Sequence, residues 1–257
     1  LNLKEVIIKG GTQKLTGGYV GDYPYNDYEM PYEALRGMKT LNLIVLPDKL
    51  TKIGIAAFAD DQNLTGSLII PEGVTEIEVG AFYDCRSMNG TLSLPSTLKY
   101  LGRGIDLWWY GGVFTYCGFT SELILPNNLE CIAGNNTFAG CEGLHGELRF
   151  PEKLTEISDG AFNGCKSLTG SITIPQGVHK LPTSVFQFCD NLNGTLTLPD
   201  GITSIGYNCF QGCALKGELK LPKNLTVIAD EVFNGCDFSG ELVLPKTIRS
   251  IGKRAFA

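Results

Sequence analysis

Residues 146–170 read GELRFPEKLTEISDGAFNGCKSLTG, and variants of this stretch fill most of the 257-residue chain. Each copy has a proline after a short apolar segment, and successive prolines are 24, 24, 31, 25, 24, 24, 23 and 23 residues apart. These prolines are Pro47, Pro71, Pro95, Pro126, Pro151, Pro175, Pro199, Pro222 and Pro245. A period of roughly 20–50 residues is typical of a solenoid, in which a unit becomes stable only by stacking on its neighbours. We name each unit by its proline.

Two further positions recur in every unit. A phenylalanine follows the proline at a nearly constant distance: Phe58, Phe82, Phe114, Phe138, Phe162, Phe186, Phe210, Phe233 and Phe256. Three residues later, seven units have a cysteine, whereas the first complete unit has Asp61. Equivalent Cβ vectors of stacked units run parallel and do not converge, so we predict a column of buried free thiols. Cys131 lies outside this column in a row of mostly polar residues, and we expect it to be an exposed thiol.

The segment before each proline alternates between polar and apolar residues, as in residues 147–150. This period of two predicts a half-buried strand, with Glu147 and Arg149 facing outward. Pro151 ends the strand because proline has no N–H to donate to a ladder. The segment around Ala161 and Phe162 is predicted to form a short helical or 3₁₀ turn. The fold class expected is therefore an α/β-type, β-rich repeat solenoid with one or two short parallel strands per unit.

The chain divides into two predicted regions. Residues 1–42 are irregular and rich in Gly and Tyr, and we expect them to form an N-terminal cap with a degenerate repeat. The tyrosines of this cap either cover the end of the core or form a binding platform. Residues 43–257 are expected to form about nine units of 23–25 residues. The last unit stops in mid-unit, so we expect either more chain or a partner beside Phe256.

Composition excludes several classes of function. The net charge of −6 and the pI near 5.0 argue against nucleic-acid binding, which needs a basic surface. No apolar run reaches the roughly 18 residues of a membrane span. The two histidines, His145 and His179, are not a whole number of repeats apart, and no Cys-x-x-Cys pair or phosphate-binding glycine loop is present. We therefore expect no catalysis, no metal and no cofactor.

The outward strand positions are better candidates for contact with a ligand, because the extended face of a solenoid is its usual binding surface. Two residues before the prolines, the early units carry Val45, Ile69 and Ile124, interrupted by Ser93. These side chains either form an exposed apolar strip that marks a contact site or are β-branched residues that simply suit strands. The later units carry charged residues, namely Glu147, Arg149 and Lys220.

The step of 31 residues between Pro95 and Pro126 contains an insertion at about residues 102–113. Its sequence, GRGIDLWWYGG, holds Trp108, Trp109 and Tyr110, with Arg103 nearby. Insertions in solenoids emerge as loops on one face, and aromatic residues near an arginine are typical of contact hot spots. Two interpretations stay open: a ligand-binding loop, or a loop folded back to plug a gap at the edge of the coil.

The repeat pattern LxLPxxLxxIxxxAFxxCxxLxG resembles the leucine-rich repeats of the BspA-like surface proteins, found largely in host-associated bacteria. The resemblance covers about residues 43–257 and depends on the Pro, Ala-Phe and Cys positions. It implies a right-handed superhelix, export to the cell surface or beyond, and adhesive or protein-binding roles. It brings no catalytic residue, because the motif consists of core positions.

We therefore expect a non-enzymatic cell-surface or secreted protein that binds an extracellular protein, such as a host matrix protein, through its curved sheet face. The alternatives are a carbohydrate-binding module that uses the aromatic insertion, and a structural spacer without a dedicated ligand. The candidate contact residues are Trp108, Trp109, Tyr110, Arg103, Ile69, Ile124, Glu147, Arg149 and Lys220.

Overall fold

A computed structural model describes the chain except for residues 5, 8, 15–21 and 105–110. The described residues contain twenty short β-strands. In chain order these are β1 (Gly11–Lys14), β2 (Asp22–Tyr25), β3 (Glu29–Met30), β4 (Lys52–Ile53), β5 (Leu68–Ile69), β6 (Glu76–Glu78), β7 (Leu92–Ser93), β8 (Tyr100–Arg103), β9 (Cys131–Ile132), β10 (Gly146–Glu147), β11 (Glu156–Ile157), β12 (Leu168–Thr169), β13 (Ile172–Thr173), β14 (Lys180–Leu181), β15 (Leu196–Thr197), β16 (Ser204–Ile205), β17 (Lys216–Gly217), β18 (Val227–Ile228), β19 (Asp237–Phe238) and β20 (Ser250–Ile251).

The strands stack along the solenoid in parallel ladders. The longest ladders use the strand that follows each proline by about five residues: β3-β4-β6-β8-β9-β11 and β14-β16-β18-β20. We call these two the second ladder. Strands directly before a proline pair as β5-β7 and β13-β15, and strands near the return corner pair as β10-β12 and β17-β19. Only the hairpin β1-β2, among the described strands, is antiparallel. The predicted parallel repeat solenoid is confirmed.

The predicted helical turn around each Phe is wrong, because the described residues contain no helix. The N–H groups of Gly160, Phe162 and Gly164 donate to carbonyls of the next unit at 2.8, 2.9 and 2.8 Å. An α-helix would need these N–H groups for bonds four residues back along its own chain. Gly160 and Gly164 have φ values of 62° and 71°, so the segment is a run of β-turns. The α/β label therefore does not apply, and the fold is a β-solenoid.

The core runs the length of the solenoid as stacked columns. Consecutive rings of the Phe column lie 4.9 to 5.6 Å apart, with interplanar angles of at most 22°. The cysteines three residues after each Phe are free, and all but Cys236 are fully buried. Each of them donates from Sγ to the carbonyl oxygen of the preceding unit's Phe, as Cys165 does to Phe138 at 3.1 Å. The prediction of buried free thiols in this column is confirmed.

The N-terminal region continues the repeat. Strand β3 pairs in parallel with β4, so that Met30 lies beside Ile53. Leu35, at the Phe position of this degenerate unit, donates its N–H to the Ala57 carbonyl at 2.8 Å. Tyr32 is fully buried, whereas Tyr25 and Tyr28 are partly exposed. The division of the chain at residue 42 stays a prediction.

Candidate functional site

The early outward positions are exposed aliphatic side chains. Ile69 is 59% and Ile124 is 68% exposed, and Val45 is 41% exposed. Ser93 lies beside Ile69 in the parallel register of β5 and β7. An interrupted apolar strip is therefore exposed to solvent on this face.

The later outward positions are exposed ion pairs within single strands. Arg149 donates from Nη2 to Glu147 at 2.8 Å, and the Lys220 Nζ lies 3.3 Å from Glu218. The hydrogen bond and ion pair with Glu147 raise the pKa of the Arg149 guanidinium. Three units separate Arg149 from Lys220, about 14 Å at the usual strand spacing. The fold thus places these two predicted contact residues on one face but not in one site.

A cleft of about 520 Å³ opens beside Glu147 and Arg149. It lies between the pre-proline segments of the Pro151 and Pro175 units. Its walls are formed by Glu147, Leu148, Arg149, Phe150, Glu152, Ser171, Thr173, Ile174, Pro175 and Gln176. The cleft combines an apolar floor with exposed charges of both signs at its rim, which is the usual chemistry of a binding site.

Phe150 distinguishes this cleft from the other junctions. The residue directly before each of the other eight repeat prolines is Leu or Ile, so Phe150 is the one aromatic in its row. Its ring lies 5.7 Å from Phe162 in its own unit and 6.1 Å from Phe186 in the next, edge-on to both. A ring that contacts both units in place of a smaller side chain acts as a wedge between them.

The backbone pairing changes at the same place. Between the Pro175 and Pro199 units, the Ile174 N–H donates to the Thr197 carbonyl at 3.0 Å. The equivalent bond from Phe150 to Thr173 is absent, as it is at the other described junctions apart from that between Ile70 and Ser93, and in the described chain no backbone hydrogen bond joins residues 148–150 to residues 171–174. Strand β10 pairs instead with β12, a register shift of two residues relative to the pairing of β13 with β15. The cleft therefore exposes unpaired backbone groups.

The second ladder is also interrupted between these two units, because β11 and β14 belong to different sheets. A second cleft of about 440 Å³ lies at this break, lined by Asn135, Thr155, Glu156, Ile157, Ser158, Asp159, His179, Lys180 and Pro182. The turns around Phe162 and Phe186 stay hydrogen-bonded across the same junction, and these two rings stack at 5.6 Å. The junction is thus held along the turn edge and by the pairing of β10 with β12, and it is open on the second ladder.

Arg103 and Cys131 lie together on the second ladder. The Arg103 guanidinium carbon is 3.5 Å from the centre of the Tyr100 ring. Cys131 is 1% exposed, so the prediction of an exposed thiol there is wrong. Burial, together with the 3.0 Å hydrogen bond that its Sγ donates to Glu156, raises the pKa of this thiol to about 12. The thiolate is therefore scarce at neutral pH, and the thiol is unreactive.

The predicted contact residues Trp108, Trp109 and Tyr110 lie outside the described residues. The insertion re-enters the described chain at Gly111, where an added Cβ would come within 2.5 Å of the Tyr83 ring. A loop-borne binding site and a plugged gap both stay predictions.

The described side chains provide no group of three or more His, Cys, Asp and Glu residues able to hold a metal ion. Nor do the described ranges include a helix long and apolar enough to cross a membrane.

A family model of the BspA type leucine rich repeat region matches six copies, over residues 29–105, 110–237 and 168–257. The chain belongs to this family. A BspA-type leucine-rich repeat array is in general a non-enzymatic scaffold for protein interaction. No curated protein matches the chain.

Several solved structures resemble this BspA-type array. A leucine-rich repeat protein of T. pallidum is 28% identical, with a TM-score of 0.47 over 72% of this chain and 69% of its own. One from Bacteroides ovatus is 24% identical, with a TM-score of 0.49 over 87% of this chain and 66% of its own. A leucine-rich cell surface protein of Faecalibacterium prausnitzii is 21% identical, with a TM-score of 0.47 over 97% of this chain and 78% of its own.

Sequence reasoning missed two features of this site. The Phe150 wedge had a signal, since this residue breaks a row of Leu and Ile. The second ladder carries more strands than the pre-proline strands, and its polar side chains alternate with buried Ile and Leu in the same way. The loss of pairing between β11 and β14 also had a sequence signal, because Pro182 follows β14 at the position where Ser158 and Gly206 donate an N–H to the preceding unit, and proline has no N–H to donate.

Proposed function

We propose that the protein is a non-enzymatic cell-surface or secreted adhesin-like scaffold that binds another extracellular protein. The BspA-type family supports this role and this location. The face before the prolines is the proposed contact surface. The partner class expected is a host matrix or other extracellular protein.

The cleft between the Pro151 and Pro175 units is the observation that carries this proposal. A protein ligand gains most from an apolar anchor buried in a pocket, and Phe150 and Ile174 offer such a floor. The Leu148 and Phe150 N–H groups and the Ser171 and Thr173 carbonyls are not bonded to each other across the cleft, and they offer hydrogen bonds to a partner's main chain. An exposed partner segment that carries one apolar side chain would fill the apolar floor with that side chain and bond the backbone groups with its main chain.

The charges at the rim of the cleft determine which charged residue of a partner is favoured there. Glu147 and Glu152 carry two negative charges beside the one positive charge of Arg149, and Glu147 is already paired with that arginine. A cation next to the partner's apolar anchor would therefore meet a favourable potential. The proposed partner segment is apolar and basic.

The test measures binding to a panel of purified host matrix proteins by surface plasmon resonance. Phe150→Leu restores the side-chain size of the other units, so it should close the cleft and weaken binding at least about tenfold without unfolding the protein. Glu152→Lys should weaken binding by a similar factor, because it reverses the rim charge.

Lys220→Glu is the matched control, since Lys220 is about 14 Å away and the Debye length is about 8 Å at physiological salt. The affinity of this variant for the bound panel protein should stay within about twofold of the affinity of the original protein. Binding that survives both cleft substitutions, or no binding to any panel protein, would contradict the proposal.

A further inference from the structure

A second surface lies along the turn edge, away from the cleft. We define the turn column as the residues two positions after the Phe of each unit. Its members are Asp60, Asp84, Tyr116, Gly140, Gly164, Phe188, Gly212 and Gly235. All eight have φ values between 58° and 82°, in the left-handed region. Glycine suits this conformation, and four of the eight units have it there.

Two members of the column have no conformational reason to be present. Aspartate tolerates the left-handed region because its short side chain bonds locally, but Tyr116 and Phe188 are bulky. Each costs about 1–2 kcal/mol in this conformation. Burial does not offset the cost, because Tyr116 is 49% and Phe188 is 47% exposed. Strain kept at exposed aromatic residues points to a binding role.

The neighbouring glycines leave room for these two rings. A Cβ added at Gly140 would lie 2.5 Å from Tyr116 Cδ1, and one added at Gly212 would lie 3.1 Å from Phe188 Cδ1. A Cβ at Gly164 would meet nothing nearer than 3.8 Å, so the backbone between the two aromatic units is bare. Three units separate the aromatic residues, about 14 Å at the usual spacing. The result is a shallow trough with an aromatic side chain at each end.

Polar groups follow the side of this trough. Lys166 and Glu142, two positions after Gly164 and Gly140, form an exposed pair at 2.7 Å. At the Tyr116 end, the Arg86 guanidinium carbon lies 5.5 Å from the centre of the Tyr116 ring. Most of the Arg86 side chain is exposed to solvent. These groups supply charged donors and an acceptor within reach of a ligand lying in the trough.

We propose that the turn column is a binding site for a linear oligosaccharide. Polarised C–H groups on the face of a sugar ring are attracted to the negative face of an aromatic ring, which Tyr116 and Phe188 would supply. Glu142, Lys166 and Arg86 would exchange hydrogen bonds with sugar hydroxyls. One sugar unit spans about one strand spacing, so a short oligosaccharide would reach from one aromatic residue to the other.

The backbone of the column favours a sugar over a peptide. The N–H groups of Tyr116, Gly140 and Gly164 all donate to carbonyls of the next unit at 2.8 Å. A peptide that binds as an added strand needs unpaired main-chain groups, which the cleft has and these column residues do not. A sugar needs only the rings and the polar side chains. The site shares no residue with the proposed protein-binding cleft or with the predicted insertion at about residues 102–113.

The experiment uses Tyr116→Gly, Phe188→Gly and the double variant on an array of linear hexose oligosaccharides. Glycine is the residue that other units have at this position, so all three variants should fold with unchanged or raised Tm. Each single variant should raise the dissociation constant of the bound oligosaccharide about tenfold, as measured by calorimetry. The double variant should abolish binding on the array.

Tyr207→Ala is the matched control, because Tyr207 is 57% exposed but lies outside the column. It should bind as the original protein does. The proposal is overturned if no array glycan binds, if the double variant binds unchanged, or if Tyr207→Ala loses binding equally. It is also overturned if the column variants lose binding to a matrix protein and not to a glycan.

Discussion

Asp61 is the residue where the Cys column departs from its consensus. It is 1% exposed, and within the described chain its Oδ2 has no hydrogen-bond partner, while Oδ1 accepts the Met38 N–H at 2.6 Å. Burial raises the pKa of this carboxyl to about 7, which the Met38 N–H only partly counteracts. The folded protein therefore holds this proton far more tightly than the unfolded chain.

This shift predicts a pH dependence of stability. A carboxyl with a raised folded pKa stabilises the fold when protonated, so this contribution is lost as pH rises from about 4 to about 7. The loss is at most about 4 kcal/mol for three pKa units. Asp61→Asn should flatten the pH dependence of the free energy of unfolding over that range, measured by urea titrations at several pH values. Burial also raises the pKa of Glu78, to about 8, but this contribution cancels in the difference between the two proteins.

An equal pH dependence in both proteins would show that Asp61 is ionised in the folded state at neutral pH.

The Phe column gives a second residue-scale prediction. Phe162 is fully buried and stacks on Phe138 at 5.4 Å and on Phe186 at 5.6 Å. Phe162→Ala should lower the free energy of unfolding by about 3–5 kcal/mol, because it leaves a cavity between two rings. Cys165→Ser should cost less, since a hydroxyl keeps the hydrogen bond to the Phe138 carbonyl. Reversible urea unfolding measures both, and a neutral Phe162→Ala would contradict the stacked core.

At the scale of the strands, repetition determines how much the sequence predicts. The periods of Pro, Phe and Cys predict the parallel stack, the inward Phe and the outward positions of Glu147 and Arg149. The helical turn was predicted wrongly because Ala-Phe segments favour helix locally, whereas hydrogen bonds to the next unit decide the conformation here. The cleft contains one ring, Phe150, that departs from a row of Leu and Ile, and a consensus pattern does not encode how this ring packs between two units.

The strand before Pro151 gives a prediction that needs no ligand. The Ile174 amide is bonded to Thr197, whereas the Phe150 amide lacks the equivalent bond to Thr173. Hydrogen exchange followed by mass spectrometry should show residues 148–150 exchanging faster than residues 172–174. Phe150→Ile should slow exchange at residues 148–150, because the two units that form this bond have Ile70 and Ile174 at the equivalent position. Equal protection of both segments in the original protein would contradict the broken ladder.

At the scale of the whole molecule, stability is a sum of units and of the interfaces between neighbouring units. Among the described junctions, only the one between the Pro151 and Pro175 units lacks pairing on the second ladder, and β10 and β12 are the only strands that pair across it, so we take it as the weakest coupling. Two blocks of units that couple weakly need not unfold together. Both tryptophans, Trp108 and Trp109, precede this junction in the chain, so their fluorescence reports on the first block alone.

Urea unfolding should therefore give different midpoints by tryptophan fluorescence and by far-UV circular dichroism, which reports on both blocks. Pro182→Ser should bring the two midpoints together, since Ser158, at the equivalent position, donates its N–H to the preceding unit, and a serine at position 182 would complete the second ladder. Ser158→Pro is the matched control, because it removes the N–H that donates to Ile132 at 2.9 Å and should open a second weak junction. Coincident midpoints in the original protein would mean that the Phe column and the bonded turns alone couple the two blocks as strongly as complete ladders do.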